Sequence, residues 1–279
     1  MTSLALAIAV KGAWDADRLM QDLRKVGIDA GTEIHIACDP EHAPASAPAG
    51  LTVHPQANAS LFDLWGLAIA RTQSDWVAVL HADALPAQGW LSAIQRATEG
   101  ERWKDGYWGP VEPEFGPSDP RMVGYLTEYC QFHRPLDPDL KEVPGSNLVV
   151  PRKRIEAAKD FSKTRLLRQG FSPRPVEDAV VRYARPYEFH AYCGRRFRHG
   201  RAYAATRAPR PSLLIAAPMT AALPLVRTAR VLRHAWRHKQ LRLASLRWLP
   251  EILVAEICWS AGEFAGYVTR RPGDASTLD

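Results

Sequence analysis

The segment Asp75-Trp76-Val77-Ala78-Val79-Leu80-His81-Ala82-Asp83 constrains the fold more than any other stretch of the chain. An apolar run of strand length without polar alternation is the pattern of a strand buried on both faces, as in a parallel sheet. The run ends in a carboxylate, and Pro86 then opens a short amphipathic helix carrying Gly89, Trp90 and Leu91. Open α/β sheets place their ligands at the carboxyl ends of such strands. Asp83 therefore has two readings. It handles a divalent cation or a phosphate group, or it caps the helix starting near Pro86, since Asp is favoured at helix N-termini.

The neighbouring sequence repeats the strand–helix alternation. Leu4 to Val10, Glu33 to Cys38 and Leu51 to His54 read as strands; Asp15 to Val26, Leu61 to Ala70 and Gly89 to Ala97 have helical spacing. This alternation implies right-handed crossovers and a mainly parallel sheet. The proline-rich stretch Ala43 to Gly50 is a surface loop. Farther on, Met122 to Phe132 reads as a helix, Val143 to Arg152 as a turn feeding a strand and Arg154 to Gly170 as a polar helix, and short strands flank Glu177-Asp178.

With 279 residues and 46% apolar content, the chain is long enough for one large domain, or a domain with an appendage. Cys38, Cys130, Cys193 and Cys258 show no C-x-x-C spacing, so neither a zinc site nor a disulfide framework is indicated, and a reducing, cytoplasmic setting is expected. The apolar N-terminus lacks the positive region of a signal peptide and reads as a first buried strand.

Charge divides the chain. No Asp or Glu occurs between Glu188 and Glu251, whereas thirteen Lys and Arg lie from Arg195 to Arg247; the rest then holds 23 basic against 30 acidic residues. Such asymmetry points to an acidic partner for the C-terminal part. Composition changes at Arg207 to Arg210, which suggests a domain over 1–208 and a segment over 209–279. On a helix over Leu225 to Leu246, Leu225, Ala229, Leu232 and Trp236 share one side, and Arg227, Arg230, Arg233 and Arg237 another. Prolines at 211, 218 and 224 and the glutamates at 251, 256 and 263 interrupt every candidate span, so the expectation is a segment lying in a bilayer interface.

The phrase ending at Asp83, with Pro86 and Gly89-Trp90-Leu91, resembles the "D-x-D, then Pro, then Gly-Trp-Leu" signature of family 2 glycosyltransferases, which bind nucleotide sugars. The resemblance implies that Asp83 holds the Mg²⁺ or Mn²⁺ bridging the donor diphosphate; His81 replaces the first Asp. Glu33-Ile34-His35-Ile36-Ala37-Cys38-Asp39-Pro40 is similar to the family's "E-I-I-V-V-D-D" strand, with Cys38 in the first Asp position and Asp39 as the implied nucleotide contact. A turn-forming Asp-Pro is the competing reading. Gly145-Ser146-Asn147, after Pro144, resembles the "P-G-x-N" turn beside the donor sugar, against a plain β-turn.

For the acceptor base, Glu177-Asp178 resembles the family's "E-D" pair. Asp160-Phe161-Ser162-Lys163-Thr164 resembles the "G-F-W-E-T" variant, with Lys163 where the acid should stand. A solvated turn is the alternative for Glu177-Asp178. The segment Arg195 to Arg207 resembles "R-x-x-x-G-R-x-x-A-x-x-R" and implies that Arg198 and Arg201 meet phosphates, against a solvated basic face. His54, His133 and His190 have no ligand-like spacing and read as structural.

The implied fold is α/β: a Rossmann-like nucleotide-sugar-binding mixed sheet flanked by helices, with a C-terminal amphipathic helical appendage. The implied activity is transfer of a sugar from a nucleoside diphosphate sugar to a lipid-linked or polysaccharide acceptor at the cytoplasmic membrane face. A catalytically inactive relative acting as a membrane-associated binding or assembly protein stays open. Neither a GxGxxG fingerprint nor a P-loop occurs. The separation of Arg from Leu and Trp favours an anionic membrane surface over nucleic acid, which is not expected as a partner.

Overall fold

Tyr107, Trp108, Leu148 and Val149 are buried beside the apolar run of Trp76 to Leu80, and this packing shows why the strands assemble as they do. The computed structural model describes residues 3–29, 31–99, 103–137, 139–156, 170–206, 211–271 and 273. The chain forms two units, one of residues 1–112 with 132–183, the other of 113–131 with 184–279. This division and the compositional change at 208/209 fall at different positions. The helix over Phe189–Thr206 is polar enough to read with the preceding sequence, yet it packs with the C-terminal helices.

The first unit is built on ten strands: β1 Leu4–Val10, β2 Glu33–Cys38, β3 Thr52–Pro55, β4 Trp76–His81, β5 Ala84–Pro86, β6 Tyr107–Trp108, β7 Val111–Pro113, β8 Asn147–Pro151, β9 Arg174–Pro175 and β10 Val181–Tyr183. One path through the sheet is β3-β2-β1-β4-β5-β10-β7; β8 pairs with β4 and β6, and β9 with β6. Strands β3, β2, β1 and β4 are mutually parallel, and β8, β5 and β10 add antiparallel pairings. The mixed sheet expected from the sequence is present. Its centre, Ala5 to Ala9 and Val77 to Leu80, has no exposed surface, which is why these strands lack polar alternation.

Helices α1 Ala16–Lys25, α2 Leu61–Arg71 and α3 Trp90–Glu99 connect the strands. Asp15 caps α1 by accepting from Arg18 N at 3.0 Å, and Ser60 with Asp63 forms a reciprocal capping box on α2. Trp65 Nε1 donates to Leu80 O at 2.6 Å and ties α2 to β4. Pro86 does not open a helix. Ala84–Pro86 pairs instead with Val181–Tyr183, and α3 begins at Trp90 after Gly89, whose φ is +86°. Asp83 accordingly caps no helix at Pro86. Of the polar helix expected over Arg154 to Gly170, α5 Arg152–Glu156 is described and most of the rest lies outside the described residues.

The second unit comprises α4 Met122–Glu128, α6 Phe189–Thr206, α7 Leu213–Ala235, α8 Lys239–Arg247 and α9 Leu249–Thr269. The expected helix Met122 to Phe132 stops at Glu128, and a 3-10 turn follows over Cys130–Phe132. The expected helix Leu225 to Leu246 is divided differently: α7 starts at Leu213, runs through Pro218 and Pro224, and ends before α8. Prolines treated as breakers are thus inside a helix. By length and composition α7 meets the requirement for crossing a membrane, with a mean hydropathy of 1.2 and 22% of that window buried.

Candidate functional site

The carboxyl ends of three adjacent parallel strands gather charged side chains. Ala9 lies beside both Ala37 and His81, and Val10 beside Cys38, so Lys11, Asp39 and Asp83 leave the sheet along one edge. In the order β2-β1-β4, the strands leading to Asp39 and Asp83 are two spacings apart, about 10 Å. Lys11 Nζ reaches both oxygens of Asp39 at 3.3 Å, and the two side chains are only 8% and 18% exposed. Lys11 carries no motif in the sequence. Its signal was a lone cation directly after an apolar strand. Asp39 precedes a 3-10 turn over Pro40–His42, so the Asp-Pro turn reading and the site reading describe the same residue.

Asp83 sits in the tight connection from β4 to β5, where His81 pairs with Ala84. His81 Nδ1 accepts from Asp83 N–H at 3.0 Å, and Asp83 Oδ2 lies 3.5 Å from the same nitrogen. His81 is 6% exposed and packs edge to face with Trp65. It therefore fixes the turn that presents Asp83 and uses on that turn the lone pair a metal would need. Among the described residues, no three His, Cys, Asp or Glu side chains converge as a metal site. Magnesium commonly binds through one or two carboxylates, water and substrate phosphates. The residues present fit a cation held by Asp83 together with a diphosphate, not a protein-only cage.

Asn147 begins β8 opposite Leu80 and has no exposed surface. Its Oδ1 accepts from Trp90 Nε1 at 3.0 Å, while Nδ2 donates to Pro110 O at 2.9 Å and Ala179 O at 2.7 Å. Both amide hydrogens are thus spent on the fold, and the side chain bolts together β8, α3 and two connecting loops. Gly109 permits this contact: a Cβ there would overlap Ala179 O and Asn147 Nδ2. Next to it, Ser146 is 1% exposed and its Oγ has no hydrogen-bond partner. A buried hydroxyl without a partner carries a desolvation cost that a bound polar group would relieve. Gly145 lies half-buried in the same turn.

Glu177 and Asp178 occupy the turn between β9 and β10. Because β5 and β10 are antiparallel, with Ala84 opposite Tyr183 and Pro86 opposite Val181, this turn lies toward the end of the ladder away from Asp83. Glu177 Oε1 accepts from Leu136 N at 3.2 Å, and the exposed Asp178 lies 3.8 Å from Arg96. A neighbouring cluster escaped the sequence reading. Glu112, 8% exposed, binds Arg134 at 2.6 and 3.1 Å and Arg182 at 3.2 Å. Burial pushes the Glu112 carboxyl up, but the Arg134 hydrogen bond and the charges of Arg134, His133 and Arg182 outweigh it and hold the group below the usual carboxylate range. No spacing in the sequence links these residues, which come from separate segments. Lys163 and the segment Asp160 to Thr164 lie outside the described residues. His54, expected to be structural, bonds His35 at 2.9 Å.

In the helical unit, the segment around Arg195 is no uniform cationic strip. Arg196 Nη2 donates to both oxygens of Glu256 at 2.8 and 2.9 Å, Arg227 Nε binds the same carboxylate, and Arg195 reaches Glu128 at 3.4 Å. Arg196 and Arg227 also lie over the Trp259 ring at 4.5 and 4.4 Å. Arg198 faces solvent, and Arg201 donates to Arg271 O at 3.1 Å. Along α7, the buried stripe is Ala216, Thr220, Pro224, Thr228, Val231, His234 and Ala235. The Leu225 and Trp236 face expected from the wheel is turned outward, 68% and 48% exposed.

The fold is shared with a solved structure. A mannosyltransferase, PcManGT from Pyrobaculum calidifontis, solved in complex with GDP-Man and Mn²⁺, superposes with a TM-score of 0.52 at 15% identity, over 92% of this chain and 86% of its own. TarS residues 1–349 from S. aureus superposes with a TM-score of 0.39 at 9% identity, over 69% of this chain and 63% of its own. No protein-family model matches the chain, and no curated protein matches it in sequence. The chain shares with that mannosyltransferase a mixed central sheet flanked by helices.

Proposed function

We propose that this protein transfers a sugar from a nucleoside diphosphate sugar to a lipid-linked or polysaccharide acceptor at the cytoplasmic face of a membrane. The observation that carries the reading is the alignment of Lys11, Asp39 and Asp83 at the carboxyl ends of neighbouring parallel strands. Asp39, oriented by Lys11, is the nucleotide contact. Asp83 would hold a divalent cation, Mg²⁺ or Mn²⁺, which when bound neutralises charge on the leaving diphosphate. Ser146, with its unpartnered buried hydroxyl, meets the donor, while Gly145 shapes the turn and Asn147 holds it. Glu177-Asp178 is the proposed acceptor base, although its turn lies toward the end of the β5–β10 ladder away from Asp83. On the helical unit, Arg198 and Arg201 are proposed contacts for an anionic phosphate.

Titration of UDP, GDP and dTDP sugars with and without Mn²⁺ tests the donor class. Asp83→Ala should weaken binding of the preferred donor at least tenfold, about 1.4 kcal/mol. Calorimetric binding unchanged in that variant would remove Asp83 from the site. A second reading, an inactive relative that binds a sugar nucleotide or glycan, is favoured by one observation: His81 Nδ1 is committed to Asp83 N–H. Donor binding without hydrolysis or transfer would select it.

The outward Leu225 and Trp236 face, together with Arg230, Arg233 and Arg237 exposed on the same stretch of chain, supports peripheral attachment to an anionic bilayer. Each such cation is worth about 1 kcal/mol near the surface, decaying over a Debye length of about 8 Å. Arg227, drawn to Glu256, does not contribute. The protein should float with anionic vesicles and be partly released by high salt. Flotation with neither anionic nor neutral vesicles would end the membrane reading; resistance to carbonate extraction would replace it with insertion of α7.

A further inference from the structure

Helices α6 and α9 touch backbone to backbone. A Cβ added at Gly262 would overlap Phe197 O, one at Gly266 would overlap Arg201 O, and one at Gly200 would overlap Trp259 O. The first two contacts advance four residues on both helices together, so the pair runs parallel in a fixed register. One turn earlier, that register sets Cys193 on α6 opposite Cys258 on α9. The two thiols interact directly, and both side chains are half-buried, which leaves a route for a small reagent. Cys38 and Cys130, by contrast, are buried. A disulfide requires a Cα separation of about 4.4–6.8 Å, and the glycines at 200, 262 and 266 let these two helix backbones approach more closely than side chains would allow.

We propose that Cys193 and Cys258 form a reversible disulfide that staples α6 to α9 when a small-molecule disulfide of the glutathione type is the oxidant. The thiolate of Cys258, its proton released to solvent, attacks one sulfur of the oxidant, and the other sulfur leaves as a thiolate that takes up a proton. Cys193 then loses its proton and displaces the second small thiol from the mixed disulfide. Two protein thiols are oxidised and one small disulfide is reduced to two thiols. Burial, and next the Cys258 thiol, push Cys193 up to about 12. Capping Cys258 removes the second of these causes, so Cys193 becomes more reactive at the resolving step. The staple closes a loop of 64 intervening residues and joins the two helices that carry Arg196 and Glu256.

The test is treatment of the full chain with oxidised glutathione, followed by thiol titration, intact mass and non-reducing peptide mapping. The four free thiols should fall to two with loss of the mass of two hydrogens. The cross-linked peptide should contain residues 193 and 258, and the apparent Tm should rise by about 5 °C or more. Dithiothreitol should reverse all three changes. Cys193→Ser should stop the reaction at a single glutathione adduct on Cys258, and Cys258→Ser should form no intramolecular link. Stable glutathione adducts on both cysteines of the wild-type chain, a link between two chains, or four unchanged thiols would each overturn the proposal.

Discussion

Glu256→Gln should lower the stability of the helical unit by about 3–5 kcal/mol, the cost of breaking a buried ion pair by removing one partner. Glu256 has no exposed surface and is the carboxylate shared by Arg196, which is 3% exposed, and Arg227. A Gln at that position still accepts a hydrogen bond but leaves two guanidinium charges together beside the Trp259 ring without their shared counter-charge. The ring attracts each cation by about 1–2 kcal/mol, too little to replace an ion pair out of water. Denaturant melts followed by helix circular dichroism provide the measurement. A loss under about 1 kcal/mol would mean that water enters and screens the cluster. Replacing all three charged groups with apolar residues of similar volume should cost far less than the single change, because no charge then stays buried alone.

The same cluster is held by contacts that no local sequence pattern carries. In sequence, Arg195 and Arg196 form one basic strip with Arg198 and Arg201, because no acid lies near them. Their partners are Glu128, upstream, and Glu256, sixty residues downstream. Long-range pairing of this kind has no period. Local pattern does find β1, β2, β4, α1 and α2 nearly to the residue, since burial on both sheet faces leaves an unbroken apolar run and a capped amphipathic helix leaves a periodic one. It failed at Pro86 and at Pro218 and Pro224. Pro86 ends a short strand whose partner lies nearly a hundred residues away, and the other two are carried inside a helix whose buried stripe supplies the packing. In the site, Asp39 and Asp83 were legible as carboxylates at strand ends. Lys11 was visible but unremarkable until the strand order brought it to Asp39. Asn147 was legible as a motif residue, yet only the fold shows that its amide hydrogens are spent on Pro110 and Ala179.

Glu177→Gln combined with Asp178→Asn should lower turnover by about 10²–10⁴ while leaving donor affinity nearly unchanged, as expected when a general base acts only in the transition state. The two residues should not share the loss equally. Glu177 Oε1 is engaged by Leu136 N, whereas Asp178 is exposed and its nearest cation, Arg96, stands 3.8 Å away. An exposed pair at that distance is worth little and leaves the carboxylate available to an incoming hydroxyl. Asp178→Asn alone should therefore account for most of the decrease, with Glu177→Gln mainly loosening the turn through Leu136. The Glu112 cluster offers an internal control. Glu112→Gln releases Arg134, whose guanidinium senses both Asp178 and Glu177, and should alter the pH dependence of turnover without abolishing it. Single-turnover rates with a bound donor separate these effects from binding. Wild-type turnover in the double variant would return Glu177-Asp178 to a solvated turn and leave the acceptor base to be sought elsewhere on the chain.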